Sequence, residues 1–118
     1  MGIYRTDYVM IGLDLQKDFP EFSLYEHFGG DNDAYDKIDD LTNISQTSVG
    51  ILEDGMGGQY TAVGILLAPP AEENGLDWFE TDIASMDLQD KYTKVVEFCE
   101  THFGLLVYPK LIAFTNWW

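Results

Sequence analysis

Positive charge is what this chain lacks most. Six lysines and arginines stand against twenty-one aspartates and glutamates, a net charge of −15 over 118 residues. That deficit argues against direct binding to nucleic acid or anionic membranes, because both reward basic residues. Cysteine is nearly absent as well. Cys99 stands alone, so no internal disulfide can form, and the composition suits a reducing cytosol. No uncharged apolar run approaches the length that crosses a bilayer, and no basic segment leads into an apolar one at the N-terminus. The expectation is a soluble, cytoplasmic protein with no export signal.

Catalytic vocabulary is equally thin. The only histidines, His27 and His102, lack the i, i+4 pairing of a zinc helix. His102 sits where a helix would end and suits the dipole there. Cys99 falls on an apolar stripe, which reads as a buried structural thiol rather than a nucleophile. No phosphate loop, nucleophile elbow or dinucleotide fingerprint occurs. Among so many acids no carboxylate pair stands out for acid–base work. The sequence points to a non-enzymatic protein with no cofactor.

What is present is ample for folding. Apolar residues make up 46% of the chain, with seven Phe, seven Tyr and three Trp, so acidity here does not mean disorder. The length fits a single domain over residues 1–118.

One segment is written twice. DYVMIGLDLQ and QYTAVGILLA share Tyr-x-x-x-Gly-x-x-Leu, as Tyr8, Gly12, Leu15 and then Tyr60, Gly64, Leu67. Each reads as an apolar strand. Between them, KDFPEFSLYEHFGG suggests a short helical turn opened by Pro20 and closed by Gly29-Gly30. DNDAYDKIDDL spaces Ala34, Ile38 and Leu41 as one stripe of an acidic helix, capped by Asp31 or Asp33. SVGILE and the second repeat form a hairpin across Asp54-Gly55 and Gly57-Gly58. APPAEENG is a loop. Residues 87–103 make the longest helix, with Asp87 as its cap and Gly104 as its stop. LLVYPKLIAF reads as a last strand, at a sheet edge or bulged at Pro109, which has no N–H. Val49-Gly50-Ile51-Leu52 also rhymes with Phe103-Gly104-Leu105-Leu106.

Strand, helix, strand, strand, helix, strand, with two similar halves, predicts an α+β, ferredoxin-like β-α-β-β-α-β sandwich. Its antiparallel sheet carries two helices on one face. A plain meander with helices on one face is the alternative. We expect the two repeated strands to be central, adjacent and parallel, with Gly12 and Gly64 permitting a bend or the close approach of a helix.

The acids fall in two blocks. Residues 18–40 carry eight acids against Lys37, and residues 71–90 carry seven with no base. Each block follows one copy of the repeat, so parallel strands would release both at one end of the sheet. Such a cluster either serves solubility or faces a basic partner. The second reading selects Asp31, Asp33, Asp36, Asp39 and Asp40 from the first block, with Glu72, Glu73, Asp77, Glu80 and Asp82 from the second. The interleaved aromatics Phe19, Phe22, Tyr25, Phe28, Tyr35, Trp78 and Phe79 are either binding anchors or core.

Two rival readings meet obstacles. Asp31, Asp33 and Asp36 resemble the start of a calcium loop, but the sixth position is Asp36 rather than Gly and the twelfth is Thr42 rather than Glu. An RNA-binding sheet would need a basic-aromatic strand motif and the opposite charge. The terminal FTNWW leaves Trp117 and Trp118 either folded back on the sheet or exposed for docking or homodimerisation.

The opening MGIYRTDYVMIGLDL and the acid blocks after Leu15 and Leu67 resemble small acidic bacteriophage proteins. In character the chain is similar to phage inhibitors of the anti-CRISPR and DNA-mimic type. Those inhibitors share no common fold, so the resemblance carries over no site residues. It implies an inhibitor of a basic host nucleic-acid-binding protein, such as a CRISPR effector or RNA polymerase. A small-ligand sensor or sponge and an oligomeric assembly subunit are the alternatives.

Overall fold

The computed structural model describes residues 5–54, 58–72, 80 and 87–117. Its elements run β1 (Arg5–Asp14), α1 (Leu15–Asp18), α2 (Leu24–His27), α3 (Asn32–Asp39), β2 (Gly50–Glu53), β3 (Thr61–Leu66), β4 (Ala71–Glu72), α4 (Leu88–Phe103) and β5 (Lys110–Trp117). The fold is α+β, built on an open antiparallel sheet of five strands.

β1 is the spine. β5 pairs with it from Arg5 to Gly12, which occupies one of its edges. β3 pairs with Met10 to Asp14 and β4 with Thr6 and Asp7, so these two share the other edge. β2 closes that side by pairing with β3.

The antiparallel pairing of β1 with β3 corrects the parallel expectation. Gly12 lies opposite Gly64, with Ile11 opposite Ile65 and Leu13 opposite Val63. The two copies of the repeat are therefore related by a rotation about the Gly12–Gly64 pair. Apolar alternation specifies which residues face the core, but it carries no strand direction. The glycines do serve a close approach, between the two strands rather than to a helix. A Cβ on Gly64 would lie 2.5 Å from the Ile11 carbonyl oxygen, and one on Gly12 would run into the Val63 carbonyl.

One sheet face carries the main core. Ile11, Leu13, Ile51, Val63 and Ile65 meet Val95, Cys99 and Phe103 of α4 there. Those helical residues are spaced four apart, so they form one stripe, and each large apolar side chain buried contributes roughly 1.5–3 kcal/mol. Burial pushes the Cys99 thiol up to about 12, as an inert structural thiol requires. The other face has a smaller cluster of Met10, Ala62 and Leu66, flanked by Tyr8, Tyr60, Ile112 and Phe114.

Several local expectations shift. The turn expected around Pro20 is two one-turn helices, α1 before the proline and α2 after it, the second capped by the Ser23 hydroxyl accepting from the Glu26 N–H at 3.3 Å. Gly29 and Gly30 then leave α2 with positive φ. Asp31 caps α3, its Oδ1 accepting from the Asp33 N–H at 3.0 Å. Asp87 does not cap α4 through its side chain, because its backbone is left-handed at φ 49°. Gly104 ends that helix as expected, at φ 66°. The last strand begins only after Pro109 and runs through Trp117, because proline cannot donate to the ladder. No helix among the described residues is long and apolar enough to cross a membrane.

Candidate functional site

Five of the eight acids of the first block are held on one element, α3, and its two caps. Ala34 and Ile38 anchor α3 to the body of the protein, and helical spacing turns the intervening positions outward. Asp33, Asp36 and Asp40 follow at intervals of three and four, the spacing of one helix face, with Asp39 beside them. Asp31, Asp33, Asp36, Asp39 and Asp40 are all exposed, and none has an ion-pair partner among the described residues. Glu26 on α2 adds to this surface, because α2 packs against α3 and the Tyr25 and Tyr35 rings lie 4.9 Å apart.

The second block does not join it in the way expected. Glu72 on β4 sits opposite Thr6, near the start of β1, whereas the first block begins beyond Asp14 at its other end. Antiparallel pairing is the reason: a rotation that superimposes the two strands exchanges their ends. Glu72 and Glu80 are exposed. Glu73, Asp77 and Asp82 lie outside the described residues, as do Trp78 and Phe79. The site that remains is α3 and its surroundings.

Beside α3 is a cleft of 410 Å³, lined by Phe22, Leu24, Tyr25, Tyr35 and Ile38, with the acids Asp39 and Glu53. Tyr35 is 59% exposed. Two carboxylates beside two phenol rings suit a cationic side chain, since ring faces attract cations by about 0.5–2 kcal/mol. Sequence reasoning marked Tyr25 and Tyr35 as anchors or core but missed Glu53. Its only signal was its position at the end of β2, and the cleft depends on tertiary packing. Phe19 and Phe28 instead pack against the main core, and Phe22 does so while also lining the cleft.

His27 and His102 do meet, but structurally. The His27 Nε2–H donates to the His102 carbonyl at 2.7 Å, tying α2 to the end of α4. Among the described residues no three His, Cys, Asp or Glu side chains converge to hold a metal ion.

A second pocket, of 280 Å³, opens between Tyr60, Ala62, Ile112 and Phe114, with Lys17, Lys110, Asp14 and Asp18 around it. Asp14 is committed, its Oδ1 accepting the N–H groups of Gln16 at 3.0 Å and Thr61 at 3.1 Å. Tyr60 donates to Asn116 Oδ1 at 2.6 Å. Burial, reinforced by the charge of Asp54, pushes its phenol up to about 12, so it remains a neutral donor.

Comparison with family models, curated protein sequences and solved structures gave no match.

Proposed function

We propose that this protein is a non-enzymatic acidic inhibitor. It presents the α3 carboxylates to the basic surface of a nucleic-acid-binding protein and obstructs its nucleic-acid groove. An acidic phage protein directed at host machinery, such as a CRISPR effector or RNA polymerase, fits this reading. The observation that carries it is the set of exposed aspartates on α3 and its two caps, without ion-pair partners among the described residues, beside an aromatic cleft suited to a lysine or arginine. Charged ladders of this kind speed encounter and set specificity, while a buried anchor supplies affinity. The proposed binding set contracts from ten residues to Asp31, Asp33, Asp36, Asp39 and Asp40, with Glu72 at a separate place. We assign the scaffold to the ferredoxin-like sandwiches, supported by the antiparallel sequence of β2, β3, β1 and β5, with β4 as an addition pairing with β1 on the edge that β3 also uses.

The test is capture from a bacterial lysate by the native protein and by a variant carrying Asp36→Asn, Asp39→Asn and Asp40→Asn. A basic partner should be retained at low salt, released by added duplex DNA, and held at least about tenfold more weakly by the variant. Capture unaffected by the substitutions, or indifferent to DNA, would refute the reading.

The apolar pocket on the other face supports a second reading, a sensor for a small hydrophobic ligand with an anionic head group set by Lys17 and Lys110. It requires a thermal shift with an aromatic carboxylate that Lys110→Glu abolishes.

A further inference from the structure

The two edges of the sheet are built differently. β2 is only four residues long and ends in Glu53, followed by Asp54, which is how exposed edges are commonly protected from pairing with another chain. β5 is eight residues long, pairs with β1 on one side, and has no other strand beside it among the described residues. Its sole charge is Lys110, at its first position. The next seven residues, LIAFTNW, carry none, in a chain where charged residues make up 23%.

Two large apolar side chains stand exposed on this strand, Leu111 at 62% and Trp117 at 45%. Both share a face, because Leu111 lies opposite Ile11 and Trp117 opposite Arg5, an even number of residues apart along β1. They are also equidistant from Phe114, three residues on either side.

We infer that the protein forms a homodimer in which β5 pairs antiparallel with β5 of a second copy, about a twofold axis at Phe114. An antiparallel pair of identical strands in a continuous sheet keeps its faces only if opposed residues differ by an even number. Of the central registers, the one through Phe114 sets Leu111 against Trp117 of the second copy, twice. Each exposed apolar side chain is then covered by the other kind. The register through Ala113 would set Leu111 against Thr115 and leave Trp117 opposite Pro109. In the chosen register Trp117 lies between the Leu111 of the second copy and its own Arg5, whose guanidinium is already 5.7 Å from its ring centroid.

The equal spacing of Leu111 and Trp117 about Phe114 selects a second copy as the occupant, and the charge along this edge does not prevent it. Two copies each at −15 repel wherever their acids face one another, and this nearly uncharged edge lets them approach. The α3 cleft is lined by Glu53 of β2 and Thr61 of β3, across the sheet from β5, so dimerisation leaves it accessible. The inference stands independently of the inhibitor reading.

Sedimentation equilibrium of the full chain tests it. The expected result is a species of twice 13.4 kDa that forms with rising protein concentration. Leu111→Lys, at an exposed position, should weaken the dimer at least about tenfold with the circular dichroism unchanged. Leu106→Lys, equally exposed but outside the strand, should have no effect. Register is read by oxidising a mixture of Leu111→Cys and Trp117→Cys proteins, which should give a covalent dimer, while Leu111→Cys alone should not. A monomer at all concentrations, a dimer indifferent to Leu111→Lys, or Leu111→Cys joining to itself would each overturn the inference.

Discussion

A methyl group added at Gly64 would fall 2.5 Å from the Ile11 carbonyl oxygen and 2.7 Å from Met10 Sδ. The first neighbour is backbone in the central strand and cannot move without disturbing the ladder on both its sides. Gly104 has a different reason to be glycine: its φ is 66°, yet an added Cβ would meet nothing within 4 Å. Gly104→Ala therefore incurs only a left-handed backbone penalty of about 1–2 kcal/mol. Gly64→Ala meets a steric conflict of the overpacking kind, costing about 1–3 kcal/mol or more, with loss of strand pairing nearby. Urea denaturation should rank Gly64→Ala as the more damaging, and hydrogen exchange should show its effect concentrated in β1 and β3. The reverse ranking would mean that the two strands can separate without cost.

Among the elements, α3 carries an internal conflict. Asp31 and Asp33 lie at its N-terminus, where the helix dipole favours negative charge, but Asp39 and Asp40 lie at its other end, where the dipole opposes it. Asp31→Ala should cost about 0.5–2 kcal/mol through loss of the cap. Asp39→Asn and Asp40→Asn should each stabilise the protein by about 0.3–1 kcal/mol at low salt. Thermal unfolding of the three single variants checks the difference in sign. Acids retained against stability are what a binding role predicts, so destabilisation by the last two changes would remove that support.

The elements were largely visible in the sequence because their periods are local. Val95, Cys99 and Phe103 trace α4, and Ala34 with Ile38 traces α3, through nearest-turn spacing alone. Residue type marks Asp87 as a side-chain cap but does not reveal its left-handed φ. The sense of pairing between β1 and β3 was not local either. The duplicated segment announced a symmetry but not its operator, and the assumption of parallel strands put both acid blocks at one end. Glu53 joins the cleft only because β2 lies beside β3, a neighbour relation that no single-strand pattern contains.

For the whole molecule, the decisive quantity is charge and where it is missing. A net −15 favours the unfolded chain, in which the carboxylates are farther apart, so screening should stabilise the fold. Raising sodium chloride from about 20 mM to about 500 mM, where the Debye length falls from roughly 20 Å to roughly 4 Å, should raise the Tm by several degrees. The same titration acts oppositely on the two proposed interfaces. Docking of a basic partner on α3 is an attraction between unlike charges and weakens as salt rises. Pairing of two β5 edges brings like polyanions together and tightens, because screening removes repulsion while leaving the apolar contacts of Leu111 and Trp117. Measured together on one preparation, Tm, partner affinity and dimer affinity should therefore move up, down and up. A dimer that loosens with salt would place acids in its interface and so exclude the β5 edge, whose one charged residue is a lysine.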